Sequence, residues 1–468
     1  MAAVARVDKP KMNMTEGPIL GKLILFTLPV MLSGILQLLF NAADVAVVGR
    51  FVGAAAMAAV GSCSSLINLI INLFIGLSVG AGVIAAQDLG ARRYGDVGKL
   101  ISTALTASLL GGLLVALFGF FAAEPLLRLM DTPDDVLAEA VPYIRAYFCG
   151  MPGCLVYNYL AAILRSGGDT KRPLYFLTAA GVVNVILNLI MVIGLGLGAI
   201  GVGIATAVSQ YVAAGLTVVY MLRARDCFRL TGFRVSGAKL LRMITIGLPA
   251  GLQGCMFSLS NVIIQSTING YSTIVIAGNT AAGNLEGFVY TAMNAVYQAA
   301  LTFVGQNMGA GKFHRIKKIA WLCIAMVTTI GVVLGGALVL FGDTLLRIYA
   351  AEENREAIVA AGLVRLTMIA GPYFLCGLME VACGILRGMG RAVQPMIVSL
   401  LGSCVFRIVW IATVCPLYPD NIVALYVSYP ISWTLTAGVH FIFCLYFYRR
   451  LVKRKNSAYP TAESPIKA

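Results

Sequence analysis

The sequence predicts an all-α membrane protein: twelve transmembrane helices in two six-helix lobes, related by a pseudo-two-fold axis along the membrane normal. Three observations carry this. Hydrophobic residues make up 59% and charged residues 12% of the 468, against about 45–50% and about 25% in ordinary soluble domains. Twelve apolar stretches fill the chain from Leu23 to Phe447, each near or above the roughly 20 residues that cross a hydrocarbon core. The second half of the chain also repeats motifs of the first at a nearly fixed distance.

Hydropathy places the spans at 23–48, 55–86, 100–122, 136–164, 174–195, 199–222, 241–268, 274–304, 319–341, 357–386, 396–416 and 422–447. Alternate connections then share a side, and 28 of the 35 Lys and Arg fall on one of the two. Loops rich in Lys and Arg stay inside, so that side, with both termini, is expected to be cytoplasmic and the chain to sit in the cytoplasmic membrane. The opposite loops are acidic or bare, as at Asp131 to Asp135, Glu352 to Glu356 and Asp420. The net charge of +15 does not signal nucleic acid, because the basic residues punctuate apolar runs instead of clustering with aromatics on a soluble face. The first residues carry Lys9 and Lys11 but no compact apolar run ending in a small-residue cleavage site, so no cleaved signal is expected. The eleven cysteines lack C-x-x-C spacing and lie mostly within apolar runs, which reads as small buried residues rather than disulfides or metal ligands.

Gln87-Asp-Leu-Gly-Ala-Arg-Arg-Tyr, leaving span two, matches Gln306-Asn-Met-Gly-Ala-Gly-Lys-Phe, leaving span eight, at an offset of 219. Leu28-Pro29, Gly34 and Asn41 recur at Leu248-Pro249, Gly254 and Asn261, and Leu126-Leu127-Arg128 recurs at Leu345-Leu346-Arg347. Ile163-Leu164-Arg165 with Pro173 recurs at Ile385-Leu386-Arg387 with Pro395. Such constancy points to duplication of a six-span unit. Six is even, so both copies insert the same way round. The organisation expected is a cytoplasmic segment over 1–22, a first lobe over 23–222, a linker over 223–240, a second lobe over 241–447 and a tail over 448–468. Membrane proteins on this plan bind substrate between their halves and alternate access by rocking, so transport is the leading reading.

Asp44 is the residue that needs a function, because a carboxylate inside hydrocarbon is costly. It lies four residues before the end of span one, hence roughly 6 Å inside that boundary. Gln37, Asn41 and Asp44 share a helical face, Asn184 and Asn188 sit one turn apart in span five, and span six brings Thr206, Ser209 and Gln210 to similar depth. One carboxylate among amides and hydroxyls makes a site for a proton or, as the only metal candidate, a sodium ion at Asp44. Taken singly, Asn184, Asn188 and Thr206 serve equally well as helix-to-helix hydrogen bonds. Pro29 in span one and Pro249 in span seven remove a backbone hydrogen bond each, giving either a static kink or, at Pro29, a hinge.

The second lobe differs, with Ile264 in the register of Asp44. Its charges are Glu286, Glu380 and Arg407, and Glu286 with Arg407 near mid-span reads as an internal ion pair or as part of a substrate site. Arg145 and Arg365 fall nearer the outer ends and are expected to snorkel or pair locally. A substrate cavity is expected to draw on Gln37, Asn261, Gln265, Glu286, Tyr290, Glu380 and Arg407, with Met256, Phe257, Phe288, Met293 and Tyr297 as packing or as an adaptable apolar lining. The loop Arg165-Ser-Gly-Gly-Asp-Thr-Lys-Arg-Pro173 lacks the Gly-Lys-Ser/Thr ending of a phosphate loop, so ATP hydrolysis is not expected.

These features together resemble the multidrug and toxic compound extrusion (MATE) family of the MOP flippase superfamily. The likeness covers Thr15 to Arg450 and rests on the two lobes, Leu28-Pro29 with Asp44 in the same span, the paired Gln-x-x-Gly-Ala segments, the Arg165-x-Gly-Gly-Asp-Thr loop with Pro173, and Asn184-Val-Ile-Leu-Asn188. The resemblance implies export of organic cations and amphipathic compounds in exchange for protons or sodium. It implies ion coupling at Asp44, a bend at Pro29, and an ion network through Asn184 and Thr206. Asn188 departs from the aspartate that many relatives carry there, which leaves Asp44 as the only carboxylate of that network and favours protons. Phe257 stands where the sodium-coupled, NorM-like branch carries glutamate, so the DinF-like branch fits better.

The expected function is an antiporter in the lipid bilayer, acting as a monomer on small molecules, with no cofactor beyond the coupling ion and no enzymatic activity. A flippase for lipid-linked saccharides is the alternative; it would want several deep cationic side chains, and only Arg407 is one. A membrane-embedded enzyme is a third class, but two histidines, His314 and His440, and no paired acidic motif give it no catalytic cluster.

Overall fold

Among the residues that the computed structural model describes (12–130, 132–230, 232–349, 354–419 and 421–458), nine single helices are long and apolar enough to cross a membrane. Two helix pairs do so as bent rods, Val136–Cys149 with Met151–Ser166 at 44° and Arg355–Ala370 with Phe374–Gly388 at 41°. Thr273–Gly309 adds a 37-residue helix whose middle holds Asn279, Asn284, Glu286, Asn294 and Gln298, and so is less apolar than the rest.

In chain order the first lobe consists of α1 (Ile19–Phe51), α2 (Ala54–Gly90), α3 (Tyr94–Leu129), the bent α4 (Val136–Cys149 and Met151–Ser166), α5 (Lys171–Gly194) and α6 (Gly198–Arg223). The second lobe consists of α7 (Gly237–Ile268), α8 (Thr273–Gly309), α9 (Phe313–Leu340), the bent α10 (Arg355–Ala370 and Phe374–Gly388), α11 (Val393–Leu417) and α12 (Ile422–Lys453). The acidic residues Asp131, Glu352 and Asp420, and the tail over 459–468, lie outside the described residues. Both bent spans break where sequence allows it. Gly150 precedes Pro152 in α4 and Gly371-Pro372 interrupts α10, and proline removes a ladder hydrogen bond. Pro29, by contrast, sits inside an unbroken α1.

The duplication is visible in the backbone. Arg92 at the end of α2 has φ +58° and Gly311 at the end of α8 has φ +65°. At each, the next amide reaches back to close the helix: Arg93 N–H donates to the Asp88 carbonyl at 2.9 Å and Lys312 N–H to the Asn307 carbonyl at 3.0 Å. Gly168 (φ +81°) and Gly390 (φ +79°) make the same turn after α4 and α10. A non-glycine residue at positive φ is uncommon, so Arg92 keeps this conformation because the repeated cap requires it.

The lobes meet along α2, which packs on α7 and α8, and along α1, which packs on α8. The α2–α7 seam uses Gly76 and Gly80 against Gly247 and Gly251, each spaced by four residues, and a Cβ at any of the four would collide with backbone of the opposite helix. Small residues let membrane helices approach this closely. At the basic end two glutamines cross between lobes. Gln87 Nε2 donates to the Gly388 carbonyl at 3.0 Å, and Gln306 Nε2 donates to the Ser166 carbonyl at 2.7 Å. Among the described residues, the hydrogen bonds between lobes run from Cys255–Leu69 and Asn72–Ser258, midway along α2, to the basic end. Toward the acidic end each lobe closes on a core of its own. Among the described residues, the lobes are therefore held together at the basic face.

Candidate functional site

Asp44 projects from α1 against α5 and α6. Asn188 Nδ2 donates to its carboxylate at 2.5 Å and to Asn184 Oδ1 at 3.3 Å, and Asn184 Nδ2 donates to Thr206 Oγ1 at 3.3 Å. Gln37, Asn41, Asp44, Asn184, Thr206, Ser209 and Gln210 share one cavity of about 50 Å³, with Asn188 fully buried behind it. At roughly 30 Å³ per water molecule, this space suits an ion or one to two waters, not an organic substrate. Asp44 forms no ion pair among the described residues; its partners are the neutral amide of Asn188 and the hydroxyl of Thr206. Directly after Asn188, α5 passes into a six-residue π turn, Leu189–Gly194. Such widened turns recur at functional sites.

A larger cleft, about 380 Å³, opens in the second lobe, a volume in the range of small-molecule sites. Asn261, Gln265, Glu286, Tyr290, Glu380 and Arg407 all line it. Gln37 does not; it belongs to the Asp44 cavity on the other lobe. The expected pairing of Glu286 with Arg407 is not found. Glu286 is instead gripped in a fork by Arg365, Nε to Oε1 at 3.0 Å and Nη2 to Oε2 at 2.7 Å. Arg365 is therefore no snorkelling side chain, since it is only 13% exposed and its remaining nitrogen donates to Asn279 Oδ1 at 2.5 Å. Tyr426 O–H donates to the same oxygen at 3.1 Å, and Asn279 Nδ2 donates to Gln265 at 3.4 Å.

Arg407 stands apart. It donates to Ser432 Oγ at 2.9 Å and lies over the rings of Tyr429 and Trp433, 4.1 and 5.5 Å from their centroids. Aromatic faces stabilise a guanidinium held out of water. Arg365 and Arg407 each adjoin a π turn, Leu366–Ala370 and Leu400–Val405. With Glu286, Glu380, Arg365 and Arg407 on its walls, the cleft is charged but balanced.

Arg365 follows the second of its two expected courses, local pairing, here with Glu286, whereas sequence reasoning missed Asn279, Tyr426 and Trp433. Asn279 lies seven residues before Glu286, two helical turns along one face, and that spacing was the available signal. It also left Arg387 in a loop. The side chain is buried, donating to Tyr297 O–H at 2.5 Å and Gln253 Oε1 at 2.9 Å.

Two duplicated six-helix lobes around polar clefts inside an apolar shell define a membrane transporter, not an enzyme. The MatE family model matches residues 29–190 and 249–413, one segment in each lobe. The chain belongs to the MatE family. It is 26% identical over 441 residues to "Probable multidrug resistance protein YoeA" of Bacillus subtilis, covering 92% of this chain and 93% of that one. Its fold matches a structure described as "Crystal structure of MATE in complex with MaL6" with a TM-score of 0.88 at 21% identity, over 94% of this chain and 98% of the other. It matches "Outward-facing conformation of a multidrug resistance MATE family transporter of the MOP superfamily" equally well, with a TM-score of 0.88 at 20% identity over 95% and 100%.

Proposed function

We propose that the chain is an ion-driven multidrug antiporter of the cytoplasmic membrane, with its basic face inside, exporting organic cations or amphipathic compounds as a monomer. Asp44 carries the coupling proton or sodium ion, and the second-lobe cleft receives the cargo. The observation that carries this reading is a lone carboxylate held by neutral hydrogen-bond donors in a cavity too small for cargo. An acid with no fixed counter-cation inside a membrane is a reversible cation site. Names of relatives such as "Multidrug export protein MepA" of Staphylococcus saprophyticus, 22% identical over 382 residues, support the cargo class. The balanced charge of the larger cleft favours amphiphiles over a pyrophosphate headgroup, which would want uncompensated cations.

Exchange needs reciprocity: an ion that lowers affinity for cargo must be displaced by cargo to the same degree. Proteoliposomes loaded with a fluorescent organic cation, with proton and sodium gradients imposed in turn, test the assignment and identify the ion. Asp44→Asn is expected to fold and insert but to lose gradient-driven export. Full export by that variant overturns the role of Asp44.

A further inference from the structure

The duplicated fold creates two equivalent hollows at the basic face, and the described residues fill only one. In the first lobe, the hollow beside Gln306 and the Gly167-Gly168 turn is occupied by the chain itself. Met14 N–H donates to Gln306 Oε1 at 3.1 Å, Asn307 Nδ2 donates to the Met14 carbonyl at 3.1 Å, and Met12 N–H donates to the Gly167 carbonyl at 3.4 Å. Met12 sits on Gly168 and Phe228 of the linker on Gly167, both close enough to bar a Cβ. In the second lobe, the matching hollow beside Gln87 and the Met389-Gly390 turn remains open, as a cleft of about 940 Å³. At Gly390 the nearest atom to an added Cβ is Gln87 Nε2, at 3.4 Å.

The two hollows also differ in charge: the cations of the filled one, Lys22 and Lys312, are engaged by the N-terminal segment. The repeat aligns Asp169 with Arg391, a reversal of charge. Arg93, Arg242, Arg391 and Arg450 line the cleft and, among the described residues, no Asp or Glu does. Arg93 is paired with Asp88. Among the described residues, Arg242, Arg391 and Arg450 have no carboxylate partner; Arg242 donates to Gln87 Oε1 at 2.5 Å, and Arg391 lies over the Phe447 ring at 4.8 Å. The remaining wall is apolar, from Leu241, Ile246, Met389, Phe447 and Leu451. Leu241 is 68% exposed and begins the outward stripe Leu241, Ile244, Leu248 and Leu252 of α7, so the cleft runs out onto a face that meets lipid.

We propose that this cleft binds an anionic phospholipid from the leaflet at the basic face. Arg242, Arg391 and Arg450 hold the phosphate, and the acyl chains follow the α7 stripe. Basic pockets between helices on this side of a membrane suit anionic headgroups, and the apolar stripe selects a lipid over a free phosphate. Gln87, Ala91 and Arg93 belong to the first lobe and the other lining residues to the second. The bound lipid therefore bridges the lobes at the closed face and stabilises that closure.

The test uses the full chain in detergent, with lipid retention read by native mass spectrometry and thermal shift. Phosphatidylglycerol is expected to bind and to raise the melting temperature, and phosphatidylcholine and inorganic phosphate to do neither. Each arginine near a membrane surface contributes about fivefold, so Arg391→Gln with Arg450→Gln is expected to weaken phosphatidylglycerol about 30-fold. Lys171→Gln with Lys318→Gln, exposed on the same face outside the cleft, is expected to change nothing. Equal binding of phosphatidylcholine, displacement of phosphatidylglycerol by inorganic phosphate, or an equal loss in the lysine pair overturns the proposal. Should the arginine pair fail to fold, the lipid and phosphate arms on the unaltered protein decide it.

Discussion

Removing Arg365 alone should be far more damaging than removing it together with Glu286. The guanidinium makes two bonds to Glu286, at 3.0 and 2.7 Å, and one to Asn279 at 2.5 Å, and the carboxylate side chain is only 6% exposed. Arg365→Met leaves a buried carboxylate without its partner, a loss of about 3–5 kcal/mol for a broken buried pair. Glu286→Leu with Arg365→Met removes both charges, and replacing a buried pair by apolar side chains is often neutral or stabilising by about 1–4 kcal/mol. Arg365→Met alone should then be less stable than the double variant by about 3 kcal/mol or more, well above the roughly 0.3–0.5 kcal/mol scatter of independent sites. Equilibrium unfolding in mixed micelles, with all four corners of the cycle, measures it. Because the two groups satisfy each other, the double variant should also still transport a fluorescent organic cation. A cost for Arg365→Met no larger than for the double variant would refute the reasoning from burial, and loss of transport in a stable double variant would refute a structural role for the pair.

Asn188→Asp places a second carboxylate beside Asp44, where Asn188 now donates at 2.5 Å, and should create sodium-dependent transport and a sodium-induced thermal shift; a variant indifferent to sodium contradicts the ion-site reading. Gln87→Leu with Gln306→Leu deletes the two crossed bonds at 3.0 and 2.7 Å. At about 1 kcal/mol net each, closure of the basic face should weaken by about 30-fold, seen as a longer distance between spin labels on the two lobes; an unchanged distance distribution rules out a latch. Gly251→Ala drives a Cβ into the Leu73 carbonyl and should cost about 1–3 kcal/mol. Gly215→Ala meets nothing within 4 Å and should stabilise by up to about 1 kcal/mol; equal effects at the two glycines would deny the close α2–α7 contact.

Helix number, lobe plan and the Asp44 network were legible because each rests on local or periodic information. Apolar length gives a span, the fixed offset gives the duplication, and the helical spacing of Gln37, Asn41 and Asp44 gives a shared face. Asn188 and Thr206 followed because adjacent antiparallel spans bring equal depths together. The second lobe was less legible. Glu286 was matched with Arg407 by depth alone, but depth says nothing of azimuth. α10 bends at Gly371-Pro372 and widens into a π turn just after Arg365, and this turns Arg365 onto Glu286. Arg407 is turned instead toward Tyr429 and Trp433. Short-range irregularities of this kind rotate a side chain by a fraction of a turn, and hydropathy does not register them.

The two clefts share no lining residue, yet exchange requires each to respond to the other. Their common element is α1, which packs on α5 beside Asp44 and on α8 of the opposite lobe. Gly34 of α1 lies against Thr291, the residue after Tyr290 in the larger cleft, so closely that a Cβ would collide with it. In the proposed exchange, a change in how α1 sits when Asp44 exchanges its ion thus meets a close contact within one residue of the larger cleft. Coupling of about 1–3 kcal/mol is enough for an effector to change affinity 5- to 150-fold, and a packed helix with two alternative seats supplies it without a continuous chain of polar groups. This also accounts for Ile264 in the register of Asp44. Under the proposed exchange, one ion site on the helix that touches both lobes suffices, and the second lobe is left free to be shaped around cargo.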